Sequence, residues 1–125
     1  MSKKPTQKKY EAVAEAKKRN AIMTARKARL VLDLIRGKSV DKALEILAFT
    51  NKPSSCPDII KVIKSAAANA EKKGVNDAGE LIITDAFADG AGMLKRLRPA
   101  PMGRGVRVRK RSCHITIRLN EAKEA

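Results

Sequence analysis

MLKRLRPAPMGRGVRVRKRSCHITIRL, residues Met93–Leu119, decides the fold of this chain. It holds nine basic residues, Lys95, Arg96, Arg98, Arg104, Arg107, Arg109, Lys110, Arg111 and Arg118, and no acid. Pro99, Pro101, Gly103 and Gly105 punctuate its middle; beyond them Cys113, Ile115, Ile117 and Leu119 alternate with His114, Thr116 and Arg118. Period-two alternation behind a Gly/Pro turn is the pattern of a β-hairpin. Carried back toward the turn, the odd-numbered face becomes Arg107, Arg109 and Arg111. One strand face thus changes from apolar to cationic, and the change marks where the strand leaves the core. From Gly103 to Leu119 a strand spans roughly 55 Å at ~3.3 Å per residue. A domain of this length is only about 35 Å across. The hairpin, over about 86–112, is therefore expected to protrude and to reach into something polyanionic.

The charge map agrees. Residues 1–29 carry a net charge of +8, residues 30–92 carry −1, residues 93–119 carry +9 and the tail carries −1, for +15 in all. The excess sits at the two ends of a nearly neutral centre. A field of one sign opposes folding through self-repulsion until counter-charge relieves it. Phosphate relieves it favourably, because each neutralised phosphate releases condensed counterions. An anionic membrane calls instead for a basic amphipathic helix with aromatic anchors. Trp is absent, and the three aromatics (Tyr10, Phe49, Phe87) lie outside the hairpin.

Upstream, 125 residues make one domain with a modest core. Residues 1–19 read as a basic extension, partly disordered or helical over Gln7–Arg19, and residues 20–125 as the globular domain. Asn20–Met23 has the makings of an edge strand. A first helix opens at Thr24 as N-cap and stops at Gly37, with Val31, Leu34 and Ile35 on one face. Arg26, Lys27 and Arg29 crowd its first turns, where the helix dipole disfavours cations, which predicts a phosphate-contacting turn. A second helix follows Ser39, its stripe Val40, Ala43, Leu44 and Leu47 at i, i+3, i+4, i+7. A third opens at Ser55-Cys56-Pro57-Asp58 and closes at Gly74, burying Ile59, Ile60, Ile63, Ala66, Ala67 and Ala70. Leu81, Ile83 and Ala86-Phe87 then read as the strand that enters the hairpin. The predicted class is α+β, three helices packed on a small antiparallel sheet with a long protruding β-hairpin.

Other chemistries are poorly served. Cys56 and Cys113 lack CxxC spacing and cannot make a zinc set with the lone His114, so two reduced thiols in a cytosolic protein are expected. No apolar run reaches the ~18 residues of a membrane span. Asp85 and Asp89 share a strand face, but no nucleophile joins them and the basic strand around His114 supplies no orienting carboxylate, so no enzyme is expected. No cofactor is implied. The hairpin has no aromatic platform for stacking unpaired bases. Its Arg and Gly content suits phosphate and shape contacts in folded RNA; an architectural DNA-binding protein with basic β-arms is the alternative.

Three stretches carry a closer resemblance: TARKARLVLDLIRGKSVDKALEIL at Thr24–Leu47, SAAANAEKKG at Ser65–Gly74, and LKRLRPAPMGRGVRVRKRSCHITIRL at Leu94–Leu119. Together they make the chain resemble the bacterial-type large-subunit ribosomal protein L twenty-two family from about Asn20 to Leu119. The resemblance implies an α/β domain on the outside of the large subunit, and early binding to large-subunit (23S-type) rRNA during assembly. It implies a hairpin threaded between rRNA segments, with a tip lining the nascent-polypeptide exit tunnel. Its implied partners are rRNA, neighbouring ribosomal proteins and the nascent peptide. The implied RNA contacts are Arg26, Lys27, Arg29, Arg36 and Lys38, then Lys95, Arg96, Arg98, Arg104, Arg107, Arg109, Lys110, Arg111 and His114. The implied tunnel-facing tip is Met93, Leu94, Lys95, Arg96, Leu97, Arg98, Pro99, Ala100, Pro101, Met102 and Gly103. The chain departs from the family pattern at Met23-Thr24, where a Ser-Pro pair is usual. It departs again at Cys113 in place of Ser, and at Ala91-Gly92-Met93, one residue longer than usual.

Overall fold

The computed structural model describes residues 13–99 and 101–121. The elements run β1 (Ala14–Ala21), α1 (Ala25–Ile35), α2 (Val40–Phe49), α3 (Cys56–Lys72), β2 (Ile82–Pro99) and β3 (Gly105–Asn120), with short 3-10 turns at Ala78–Glu80 and Pro101–Gly103. Three helices pack on a three-stranded antiparallel sheet of order β1-β3-β2, the α+β class expected.

The apolar strand pattern makes β3 the centre. Cys113, Ile115, Ile117 and Leu119 are fully buried. A strand buried this deeply cannot leave either row of backbone groups unpaired, so it takes a neighbour on each side. β2 supplies one, through Ile83, Ala86 and Ala88. The other is β1, which overturns the helix expected over residues 14–19. AEAKKRNA favours helix in isolation, but the open edge of β3 and the room its small residues leave for α3 decide otherwise. Ala14, Ala16 and Ala21 are buried, and Asn69 Nδ2 of α3 donates 2.9 Å to the Glu15 carbonyl. The edge strand anticipated at Asn20–Met23 thus begins six residues earlier. The rest of the expected extension, residues 1–12, lies outside the described residues.

The helix ends follow the expected caps. Thr24 and Ser39 accept from Lys27 N–H and Lys42 N–H. Gly37 and Gly74 take φ of +81° and +93°, left-handed conformations at helix ends that cost glycine little. The buried face of α1 differs from expectation: it is Ala28, Val31, Leu32 and Ile35, while Leu34 and Leu30 point outward. This i, i+3, i+4, i+7 set meets the small Ala86 and Ala88 of β2, which let the helix sit close.

The hairpin also divides differently. Pairing runs without a break in kind from Met93↔Arg111 to Pro99↔Gly105, so Met93–Pro99 are shaft rather than tip. The turn closes at Pro101–Gly103, with Met102 and Gly103 at φ of 67° and 71°. Ala100 lies outside the described residues. At the other end, Ala86 and Ala88 belong to the packed sheet, so the two-stranded ribbon is 93–111 rather than 86–112. An extra residue of β2 between Gly90 and Met93, a β-bulge, separates sheet from ribbon.

Candidate nucleic-acid interface

Strand register assigns each hairpin cation to a face. Alternation puts Arg107, Arg109 and Arg111 on one side of β3, and Lys95, opposite Arg109, joins them. The other side carries Arg96, Arg98 and Lys110. All seven are exposed. Cation rows on both faces suit a ribbon held between two polyanionic walls; a protein lying on one surface needs only one. Leu94, Leu97 and Val106 are half or more exposed between the cations. Their apolar area and the long Arg stems give each face a body that packs against sugar edges while the guanidinium groups reach phosphate.

On α1, Arg26 and Lys27 are exposed in the first turn. Arg29 is placed differently from expectation. Its Nε and Nη2 donate 3.1 and 2.9 Å to the Ala88 carbonyl on the outer edge of β2. Arg36, two turns later at the helix C-cap, repeats the contact, donating 2.6 Å to the Ala86 carbonyl and 2.7 Å to Asp33. The same edge continues with Gly37 N–H to the Ile83 carbonyl and Ile83 N–H to the Lys38 carbonyl, 2.8 and 2.9 Å. A cation early in the helix therefore has a folding role: Arg29 and Arg36 satisfy edge carbonyls that, among the described residues, no fourth strand reaches. The Lys38 side chain is exposed.

His114 is half-buried, and its Nδ1 accepts 3.0 Å from Asn20 N–H, where an extra residue of β1 makes a bulge and Asn20 takes φ of 57°. The neutral ring then carries its proton on Nε2. Register sets Asp89 opposite His114, a carboxylate the strand sequence around the histidine does not show. Arg118 is occupied elsewhere: it meets Glu15 at 3.1 Å and Asp85 at 3.7 Å and lies 5.3 Å over the Phe87 ring. Cys56 and Cys113 are both free and buried; burial pushes the Cys113 thiol up against the partial relief of Arg29. Among the described residues no group of three metal-ligating side chains forms, and no helix is long and apolar enough to cross a membrane.

One convergence is absent from any sequence window. The first turn of α1 and the root of the hairpin face each other across a cleft of about 660 Å³, lined by Arg26, Arg29, Arg109 and Arg111 and, among the described residues, by no acid. Beside it Ser112 Oγ donates 2.6 Å to the Gly92 carbonyl and holds the bulge. The two arginine pairs come from opposite ends of the chain, and no spacing rule could have joined them.

Comparison with known proteins places the sequence in a family. The family model of ribosomal protein L22p/L17e matches residues 16–120. The chain is 52% identical over 104 residues to the large ribosomal subunit protein uL22 of Porphyromonas gingivalis, covering 82% of this chain and 77% of that one. It is 48% identical over 104 residues to the protein of that name from Bacteroides thetaiotaomicron, covering 82% and 76%. Against that of Trichlorobacter lovleyi it is 44% identical over 110 residues, covering 88% and 96%. With nearly all of the sheet, helices and hairpin inside the matched region, the chain belongs to the ribosomal protein L22p/L17e family.

Proposed function

We propose that this protein is a structural component of the large ribosomal subunit, in the cytoplasmic ribosome, that binds large-subunit rRNA and supports early assembly. The observation that carries this reading is the two-faced cationic ribbon, Lys95, Arg107, Arg109 and Arg111 on one side and Arg96, Arg98 and Lys110 on the other. Such a ribbon gains counterion-release free energy on both sides only when RNA surrounds it. Arg26, Lys27, Lys38 and Arg104 extend the contact, while Arg29 and Arg36 act largely through the sheet edge they hold. His114 takes part through Nε2, because Nδ1 is engaged. The turn around Met102, 96% exposed, then extends beyond the last strand pair toward the nascent-polypeptide exit tunnel. Neighbouring ribosomal proteins complete the partners. The family is one of structural proteins, not of enzymes.

The test is sedimentation of a tagged chain from cell lysate through a high-salt gradient. It should travel with the large subunit, and crosslinking should recover large-subunit rRNA attached to hairpin peptides. Recovery with chromosomal DNA, or release from the subunit without crosslinks to rRNA, would overturn the reading.

A further inference from the structure

We propose that the cleft between the first turn of α1 and the hairpin root is a seat for one RNA backbone phosphate, gripped jointly by Arg26, Arg109 and Arg111. This rests on the rRNA-binding reading and adds to it a specific subsite built from two separate elements.

The cleft has the features a phosphate needs. Arg26 and Arg29 project from one wall and Arg109 and Arg111 from the other, with no carboxylate among the lining residues to compete. Arg29 is fixed by its two hydrogen bonds to the Ala88 carbonyl, so it holds the wall. The side chains of Arg26, Arg109 and Arg111 make no hydrogen bond or ion pair among the described residues, which leaves their planar donor forks for a ligand. Arg109 and Arg111 stand on the same face of β3, the face continuous with the buried Cys113 and Ile115. Gly90, Met93 and Ser112 at the bulge line the same cleft, and the Ser112–Gly92 bond ties the two strands together there. Cations on two elements repel across an empty gap, and a bound phosphate turns that repulsion into two attractions. The seat therefore also locks the hairpin against the domain when RNA binds.

A shared phosphate has a signature that separate phosphates lack. Salt dependence of binding to full-length large-subunit rRNA transcript is measured for the full chain, with duplex DNA as competitor. Arg26→Gln and Arg109→Gln should each weaken binding and leave the log–log salt slope near that of the wild type, because the two remaining arginines still neutralise the phosphate. The triple Gln variant of Arg26, Arg109 and Arg111 should lower the magnitude of the slope by about 1, because all three side chains serve the same phosphate. Arg96→Gln, on the opposite ribbon face, should add its own decrease to any of these. Ethylation interference should reveal one phosphate essential to the wild type and indifferent to the triple variant. The same three residues changed to Lys, which keeps the charges, should keep the slope.

A triple variant whose slope falls by about 3 would mean three independent phosphates and no common seat. A triple variant with the wild-type slope would mean that the cleft binds no phosphate. Wild type that shows no salt-dependent preference for the transcript over DNA would instead overturn the rRNA reading itself.

Discussion

Arg29 shows how one side chain can belong to the fold and the interface together. Its guanidinium closes the β2 edge at Ala88 and forms part of the cleft wall. Arg29→Ala should therefore destabilise the free domain, on the order of 1 kcal/mol in urea denaturation, because the edge carbonyl no longer has its charged donor. Arg26→Ala, with no such bond, should leave the free domain's midpoint unchanged. Cys113 gives a second test. Its raised thiol pKa means that the folded state keeps the proton after the unfolded thiol has lost it. The stability it contributes is whole below the ordinary thiol pKa and is lost as pH climbs from there through the raised value. The stability of the wild type should fall more between about pH 8 and pH 10 than that of Cys113→Ala.

Elements divide into those that stand on the core and one that stands on its partner. Ile117 is completely buried on the central strand, so Ile117→Ala should cost about 2–5 kcal/mol. Residues 93–111, by contrast, hold a two-stranded ribbon whose described side chains are nearly all exposed. An isolated ribbon is marginal in water. Amide exchange in the free protein should be complete within seconds from Met93 to Arg111, while β3 from Cys113 to Leu119 stays protected. Protection of the ribbon in the free protein would show that it packs back on the domain. Replacing Arg107, Arg109 and Arg111 together by Glu should leave the free domain stable and block assembly of the large subunit, read as loss of the protein from gradient-purified particles.

The whole molecule pairs a nearly neutral helix-covered core with +9 carried by the segment from Met93 to Leu119. Engagement of six phosphates implies a log–log salt slope of roughly −4 to −5. Exchanging residues 93–111 for a short Gly-Ser turn should flatten that slope while the three helices and the base of the sheet remain folded, as followed by circular dichroism. An unchanged slope would move the polyanion contact away from the hairpin.

Local chemistry decided what the sequence makes legible. The caps at Thr24 and Ser39, the helix-ending Gly37 and Gly74, and the apolar-to-cationic switch along β3 are written in neighbouring residues, where spacing alone determines geometry. Only tertiary structure made AEAKKRNA a strand, because the open edge of β3 outweighs helix propensity. Only register assigned the cations to two faces, since the β2 bulge between Gly90 and Met93 shifts every pairing beyond it by one. Arg29 and Arg36 likewise became edge caps through carbonyls far away in sequence. Helix signals are local because their hydrogen bonds span four residues; strand partnership and the arginine cleft join residues at any separation, so only the folded chain brings them together.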